Sequence, residues 1–129
     1  MSDGLYTITL DQEHGLVYVV AQGNFSIALG EQMITASLEQ AAENRYKIIC
    51  DARDSQTRAT LADWFNLPRR LAAYRKMDTR SIKTAILVTP GRQEDLYRFV
   101  ETVMGNMGLR IRVFLDMEEA LEWLGTGSG

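Results

Sequence analysis

The feature that most constrains this fold is the order of its segments, a β-hairpin followed by a strict alternation of helix and strand. Residues 5–10 and 16–21 have the pattern of two strands joined by a turn. After them, helix-period segments alternate with three short apolar strands, at 47–51, 83–89 and 109–114. Helix-linked strands favour parallel neighbours, and the hairpin adds one antiparallel pair. The sequence therefore predicts an α/β fold with a five-stranded mixed sheet and about four helices.

Three of the predicted helices begin at residues that suit a helix N-terminus. Ser26 is the predicted N-cap of the first helix, which ends near Asn44. Thr60 and Asp63 are spaced as a capping box at the start of the second helix, and Asp116 stands at the N-cap position of the last one. Short polar side chains accept hydrogen bonds from the free N–H groups of the first turn, so these positions indicate where the helices begin.

The apolar stripes of the helices predict their buried faces. The second helix is expected to bury Leu61, Trp64, Phe65, Leu71 and Ala72. Pro68 lies inside this stripe and cannot donate a hydrogen bond to the carbonyl of Trp64, so a kink or a break is expected there. The last two helices are expected to bury Phe99, Val103, Trp123 and Leu124.

A chain of 129 residues has the size of one domain. Residues 1–124 are predicted to form it, and residues 125–129 to be a flexible tail of the kind that cloning leaves. The longest apolar stretches, about six residues, are far below the roughly 20 of a membrane-spanning helix. The first residues lack the pattern of a signal peptide, and the single cysteine cannot form a disulfide within the chain. We therefore expect a cytoplasmic protein, whose oligomeric state stays open, a homodimer included.

The net charge of −3 gives no reason to expect nucleic-acid binding. Basic residues nevertheless cluster between positions 69 and 83, where Asp78 is the single acid. They are Arg69, Arg70, Arg75, Lys76, Arg80 and Lys83. Such a run is usually the solvated face of a helix. The alternative is a patch that binds an acidic partner or an anionic lipid headgroup.

A polar segment follows the predicted third strand, which is expected to end at Asp51. In open α/β sheets ligands bind beyond the carboxyl ends of the parallel strands, so residues 52–57 are the natural place for a functional loop. An Asp at the end of one strand, with Thr89 ending the next, also occurs in response-regulator receiver domains. That interpretation fails because no acidic pair follows a first parallel strand and no lysine follows the last. The carboxylate of Asp51 is therefore expected to cap the following turn.

Residues with catalytic chemistry are few. His14 occupies the hairpin turn with no nucleophile placed near it, and Cys50 lies among apolar neighbours as a core thiol does. Residues 89–92 precede the third helix but lack the glycines and the lysine of a P-loop. The spacing of His, Cys and acidic residues fits no metal site. We expect neither an enzyme, nor a cofactor, nor a bound metal.

Five segments of the chain together resemble the STAS domain (sulphate transporter and anti-sigma-factor antagonist). The resemblance is greatest to the divergent bacterial STAS/SpoIIAA-like proteins, which share features with CRAL-TRIO lipid-transfer domains. It covers residues 5–124 and is carried by segments 15–19, 23–26, 48–53, 98–102 and 112–124. The resemblance implies a STAS/SpoIIAA-like sandwich and a regulatory role without catalysis.

The best understood STAS proteins are phosphorylation switches, in which a partner kinase phosphorylates a serine at the start of the second helix. The matching segment here is Asp54, Ser55, Gln56 and Thr57. Ser55 follows an acid, as in the family, whereas Gln56 replaces the second hydroxyl residue and no glycine follows. The resemblance makes Ser55 the candidate phosphorylation site.

Two functions remain open. The first is a regulatory or protein-interaction module that binds a partner protein through the loop after the third strand and the second helix. The second is a carrier of a small amphipathic or lipid ligand, held under a mobile second helix with the basic run at its headgroup. For these functions the candidate binding residues are Asp51, Arg53, Asp54, Ser55, Thr57, Trp64, Phe65, Leu67 and Arg70.

Overall fold

The computed structural model describes residues 4–70, 82–91, 93–106 and 108–125, the side chains of 68–70 excepted. Its elements are β1 (Leu5–Asp11), β2 (Leu16–Phe25), α1 (Ile27–Asn44), β3 (Lys47–Thr57), α2 (Leu61–Arg70), β4 (Lys83–Leu87), α3 (Glu94–Asn106), β5 (Arg110–Phe114) and α4 (Met117–Leu124). The predicted α/β class, with five strands and four helices in the described residues, is confirmed. No helix in this part of the chain is long and apolar enough to cross a membrane.

The five strands form one mixed sheet in the order β1-β2-β3-β4-β5. The hairpin pairs β1 antiparallel to β2, and all later neighbours are parallel. Because the strand order follows the chain order, right-handed crossovers place every connecting helix on the same face of the sheet. Accordingly α1 packs on β2 and β3, and α3 packs on β5. Helix α4 follows the last strand and returns across β4 on the other face.

Alternation along the central strand divides the core between the two faces. Ile48 and Cys50 of β3 pack with α1 on the face of the sheet that α1, α2 and α3 cover, here called the three-helix face. Ile49, between them, packs with Leu87 and with Leu124 of α4 on the opposite face. All five side chains are buried, so both faces of β3 are covered there. This explains why the strand begins with a continuous apolar run.

Strand β3 is longer than the sequence predicts. Residues 52–57, expected to be a loop, continue the strand because β2 also continues, as far as Phe25, and pairs with them. The register shifts between Val20 and Gln22, and the parallel ladder then resumes and ends where Phe25 pairs with Thr57. Pairing with a long neighbour outweighs the turn-like composition of this segment.

Helix α2 buries a narrower stripe than expected. Trp64 and Leu67 are buried at 6% and 0% exposure, whereas Leu61 and Phe65 are 56% and 57% exposed. The prediction for these last two residues is wrong because α2 lies across α1 and α3 and touches them with one side only. The helix also continues through Pro68 to Arg70, so it is not broken at the proline. The other two residues of the predicted stripe lie outside the described residues.

The helix starts predicted from the sequence are confirmed. The Ser26 side chain accepts a hydrogen bond from the Leu29 N–H, and Asp116 accepts one from the Glu119 N–H. At α2 the Thr60 N–H donates to Asp63 Oδ2 over 2.9 Å, and the Asp63 N–H donates to Thr60 Oγ1 over 3.1 Å. This reciprocal capping box holds the first turn of α2 directly after β3.

The burial expected for α3 and α4 is confirmed in part. Val103 and Leu124 are buried, while Phe99 and Trp123 are only half-buried. Gly125, expected to begin the tail, adopts φ 79° and caps α4 by donating to the Glu122 carbonyl. Left-handed backbone of this kind favours glycine at a helix end.

We predict a clear difference between two neighbouring truncations in α2. Leu67→Ala removes a fully buried side chain and should lower the free energy of unfolding by about 2–5 kcal/mol. Phe65→Ala is the matched control, because its ring is mostly exposed, and it should lower that free energy by less than about 1 kcal/mol. Urea unfolding followed by circular dichroism measures both. Equal losses would contradict the orientation of α2.

We also predict that Cys50 reacts with thiol reagents only when the protein unfolds. Burial is the main cause that raises the pKa of its thiol to about 12, and the neighbouring Asp51 carboxylate acts in the same direction. Since the thiolate is the reactive form, labelling at pH 8 should be at least about 100-fold slower in the native protein than in urea. Similar rates in the two states would show that β3 opens locally.

Candidate functional site

The site begins where β3 extends beyond its neighbour. Pairing between β3 and β4 ends at Asp51 and Leu87, so residues 52–57 have β2 on one side and an open ladder edge on the other. Side chains of the segment between β4 and α3 cover that edge. Thr89 Oγ1 donates to the Arg53 carbonyl over 3.0 Å. The side chains thus replace the missing strand and satisfy backbone groups that would otherwise be unpaired.

Gln93 makes the most specific of these contacts. Its Oε1 accepts a hydrogen bond from the Thr57 N–H over 3.0 Å, and its Nε2 donates to the Thr57 carbonyl over 3.1 Å. One amide side chain therefore copies both hydrogen bonds of a ladder partner. Gln93 itself has φ 58°, a left-handed conformation that is unfavourable for a residue with a side chain. Its carbonyl also accepts the Tyr97 N–H at the start of α3.

A polar cleft of about 190 Å³ lies along this edge. Its lining residues are Ala52, Arg53, Asp54, Ser55, Gln56, Val88, Thr89 and Tyr97. Asp51 lies beside it and holds Arg53 with two side-chain hydrogen bonds of 2.9 and 2.8 Å. The guanidinium of Arg53 is the main cause that lowers the pKa of Asp51 below its usual value. The two side chains neutralise each other, so neither is a free catalytic acid or base.

Ser55 and Tyr97 form a directed hydrogen-bond chain at the floor of the cleft. Ser55 Oγ donates its single proton to the Ala52 carbonyl over 2.9 Å. The 3.1 Å contact between Ser55 Oγ and Tyr97 OH must therefore carry the tyrosine proton. Burial raises the pKa of Tyr97 above its usual value, so the phenol stays neutral and remains a donor.

An apolar cavity of about 80 Å³ lies behind this pair, between the sheet and helices α1, α2 and α3. Its walls include Ile34, Cys50, Trp64, Ile86, Val100 and Met104. Ala52, Ser55 and Tyr97 line both the cavity and the polar cleft, so they form the wall between the two. The described residues that line the cavity carry no charged side chain.

Trp64 lines this cavity and also carries a buried polar group without a partner in the described part of the chain. Its Nε1 is buried and has no hydrogen-bond partner among the described residues. An unsatisfied buried donor of this kind costs roughly 1–3 kcal/mol. The ring lies close to Gly30 of α1, where an added Cβ would stand 3.5 Å from Trp64 Cη2. The small residue on α1 lets the indole lie flush against that helix.

The structure brings together only some of the residues predicted from the sequence. Arg53, Asp54 and Ser55 line the cleft, and Thr57 and Trp64 line the cavity. Leu67 is buried in the contacts of α2 rather than in the cavity wall. Phe65 is exposed on the outer side of α2 and does not line the cavity. The side chain of Arg70 lies outside the described residues.

The predicted basic run is placed only at Lys83. Its Nζ donates to the Trp123 carbonyl over 3.1 Å and lies 5.3 Å from the centre of the Trp123 ring. This residue belongs to the α4 face and not to a patch beside α2, because β4 directs it there. The remaining members of the run have side chains outside the described residues.

Sequence reasoning missed three residues of the site, Thr89 as an edge partner, Gln93 and Tyr97. All three come from the segment between β4 and α3 or from the first turn of α3, so only the strand order places them beside residues 52–57. The sequence contained one indication for Tyr97, because this residue lies beside the apolar stripe of α3 and carries a hydroxyl group.

Other groups with catalytic chemistry lie away from this region. His14 is exposed in the hairpin turn, at the amino end of β2, whereas the cleft lies toward the carboxyl end. Its Nδ1 contacts Asp11 Oδ2 over 2.8 Å, and this contact is the main cause that raises the pKa of His14 and lowers that of Asp11. Within the described ranges, no three His, Cys, Asp or Glu residues lie close enough to hold a metal ion.

No family model matches this sequence, and no curated protein is significantly similar to it. Two solved structures share its fold along nearly the whole chain. One is an uncharacterized protein of the DUF3478 family with a SpoIIAA-like fold from Shewanella loihica, with a TM-score of 0.56, 22% identity, and coverage of 95% of this chain and 93% of that one. The other is an anti-sigma factor antagonist from Mycobacterium paratuberculosis, with a TM-score of 0.57, 10% identity, and coverage of 94% and 95%. The resemblance predicted from the sequence is thus confirmed at the level of the fold, and the chain has a SpoIIAA-like fold.

Proposed function

We propose that this chain is a cytoplasmic, non-enzymatic regulatory module that binds a partner protein through the end of β3 and the outer face of α2. The observation that carries this proposal is the exposure of Leu61 and Phe65 on that face. The two side chains are four residues apart, so they lie together on the helix surface. Large exposed apolar groups that adjoin each other are typical of protein-interaction surfaces.

In this proposal the end of β3 would supply part of the polar rim of the interface. The exposed Arg53 and Asp54 belong to the end of β3, and only residues 58–60 separate that strand from α2. A small apolar centre with charged groups around it is the usual anatomy of a protein interface. The similarity in fold to an anti-sigma factor antagonist supports a regulatory partner of this kind.

Ser55 is the residue through which we propose that this interaction is regulated. Its hydroxyl is part-buried and bonded to Ala52 and Tyr97, so phosphorylation would remove the proton donated to Ala52 and place a phosphate against Tyr97. The added negative charge would stand beside Asp54 and would need the Arg53 guanidinium as its partner. Phosphorylation at Ser55 would therefore rearrange the side-chain contacts along the edge of β3.

The interaction is tested with single variants of the exposed pair. The partner is cross-linked to the protein in the cells that express it, and the amount recovered is measured. Leu61→Asp and Phe65→Asp should each lower that amount by at least about tenfold, because each places a charge at the centre of an apolar contact. Leu5→Asp is the matched control, since Leu5 is similarly exposed, at 53%, on the edge strand β1. Ser55→Glu and Ser55→Ala test the regulatory residue.

Recovery of the same partner by the wild type and by both α2 variants would contradict this interface. Equal partner recovery by the two Ser55 variants and the wild type would remove the regulatory role of that serine and leave the interface standing. Circular dichroism shows in each case that the variant is folded.

A second candidate function is the carriage of a small ligand beneath α2. The observation that favours it is the apolar cavity of about 80 Å³ between α1, α2, α3 and the sheet. Helix α2 covers this cavity by resting on α1 and α3, so its movement would open the space without unpairing the sheet.

Native mass spectrometry tests this second candidate. Gently ionised protein, purified without organic solvent, should carry an additional small mass that is lost on denaturation. Phe65→Asp should keep that mass, because its side chain points away from the cavity. A single peak at the mass of the bare chain, for both proteins, would argue against a carried ligand.

A further inference from the structure

We propose that the open edge of β3 binds an extended segment of the partner protein, whose main chain adds to the sheet as a further strand. The inference rests on the regulatory module proposed above and names how its partner docks. Residues 53–57 form this edge, because the pairing of β3 with β4 ends at Leu87. Three features of the edge support this assignment.

The first is the direction of its backbone groups. The Arg58 N–H donates to the Phe25 carbonyl of β2 over 3.0 Å, so even-numbered residues here face β2. Backbone groups of alternate residues in a strand point to opposite sides, so those of Ser55 and Thr57 point to the open edge. The contacts of Thr57 with Gln93 agree with this direction. Ser55 therefore presents one donor and one acceptor, and none of the described hydrogen bonds across the edge reaches them.

The second is the side chain that covers the edge. The amide of Gln93 occupies the place of a peptide group, since it accepts from the Thr57 N–H and donates to the Thr57 carbonyl. The edge is thus already complementary to a main-chain amide. Gln93 holds this position with φ 58°, an unfavourable conformation of the kind that is concentrated at switch regions. A partner's main chain could make both hydrogen bonds without requiring that conformation.

The third is the space beside Ser55. The polar cleft of about 190 Å³ is lined by Ser55 and by its neighbours along β3, and Val88 and Thr89 of the segment after β4 line it as well. A main-chain amide suits such a polar space because it both donates and accepts. The partner segment is extended and lacks proline at the paired positions, because proline has no N–H to donate.

Hydrogen exchange tests the role of Gln93 as the cover of this edge. Gln93→Ala removes the amide and keeps the backbone carbonyl that accepts the Tyr97 N–H. In this variant the Thr57 N–H should exchange at least about tenfold faster than in the wild type, the effect of one lost hydrogen bond. Asn66→Ala is the matched control. It removes an exposed side-chain amide that is bonded within α2, and it should leave that rate unchanged.

A blocked pentapeptide of alternating threonine and valine is the binding probe, because recognition through the main chain tolerates many sequences. Added to ¹⁵N-labelled Gln93→Ala protein, it should shift the amide signals of Ser55 and Thr57 saturably and slow their exchange. The wild type should bind it at least about tenfold more weakly, since the peptide must displace the Gln93 amide. The same peptide with N-methyl groups on two consecutive residues has both of its edges blocked, and it should also bind at least about tenfold more weakly.

The proposal is overturned if the peptide shifts neither signal saturably, in Gln93→Ala or in the wild type, since water alone would then occupy the cleft. The wild type decides this by itself if the variant does not fold. Equal binding of the N-methylated peptide would overturn it too, because the contact would not involve the main chain. So would a Gln93→Ala protein that recovers no more cross-linked partner than the wild type. A variant that dimerises in sedimentation and ignores the peptide would identify a second copy as the occupant, against the proposal.

These outcomes are separate from the test of the outer face of α2. Phe65→Asp should bind the peptide as the wild type does, because its side chain is exposed on that outer face. Lost partner recovery in the α2 variants without any peptide binding would keep the α2 interface and remove the β3 edge from it. Peptide binding together with normal partner recovery by those variants would contradict the α2 interface and leave the edge standing.

Discussion

The parallel ladder between β2 and β3 is the constraint on which the rest of this structure depends. Beyond Asp51 the strand β3 has lost β4 as a neighbour, yet it stays extended because β2 continues beside it as far as Phe25. Its open edge must find other partners, and it finds them in Thr89 and in the amide of Gln93. The polar cleft exists because side chains, which leave gaps between them, replace a strand there.

The helix layer has a related consequence. Helices α1 and α3 pack on the two sides of the three-helix face, and α2 bridges them instead of lying flat on the strands. This arrangement leaves a cavity between α2 and the sheet, and Trp64 of α2 is one of the residues that line it. A fully packed core would hold no such space. The cavity is thus a result of the way in which α2 rests on its two neighbouring helices.

The two sides of α2 have opposite roles in the proposed functions. Its inner side, with Trp64 and Leu67, is buried and closes the cavity, while its outer side presents Leu61 and Phe65 to solvent. A ligand in the cavity would contact the inner side, and a partner protein would contact the outer side. Ser55 and Tyr97 stand at the wall between cavity and cleft, so a change at either residue would reach both.

The sequence by itself determined the element order, the mixed sheet and the helix starts, because hydrophobic period and short-range capping are local properties. Ser26, the pair Thr60 and Asp63, and Asp116 needed no tertiary information. Only the tertiary structure decided that residues 52–57 are a strand and that Phe65 faces solvent, because both depend on which neighbour lies alongside. It also brought Gln93 and Tyr97 to Thr57 and Ser55, across some 36 to 42 positions of sequence. The periodicity of a single segment cannot predict such a contact, because the contact arises from the order of the strands in the folded sheet.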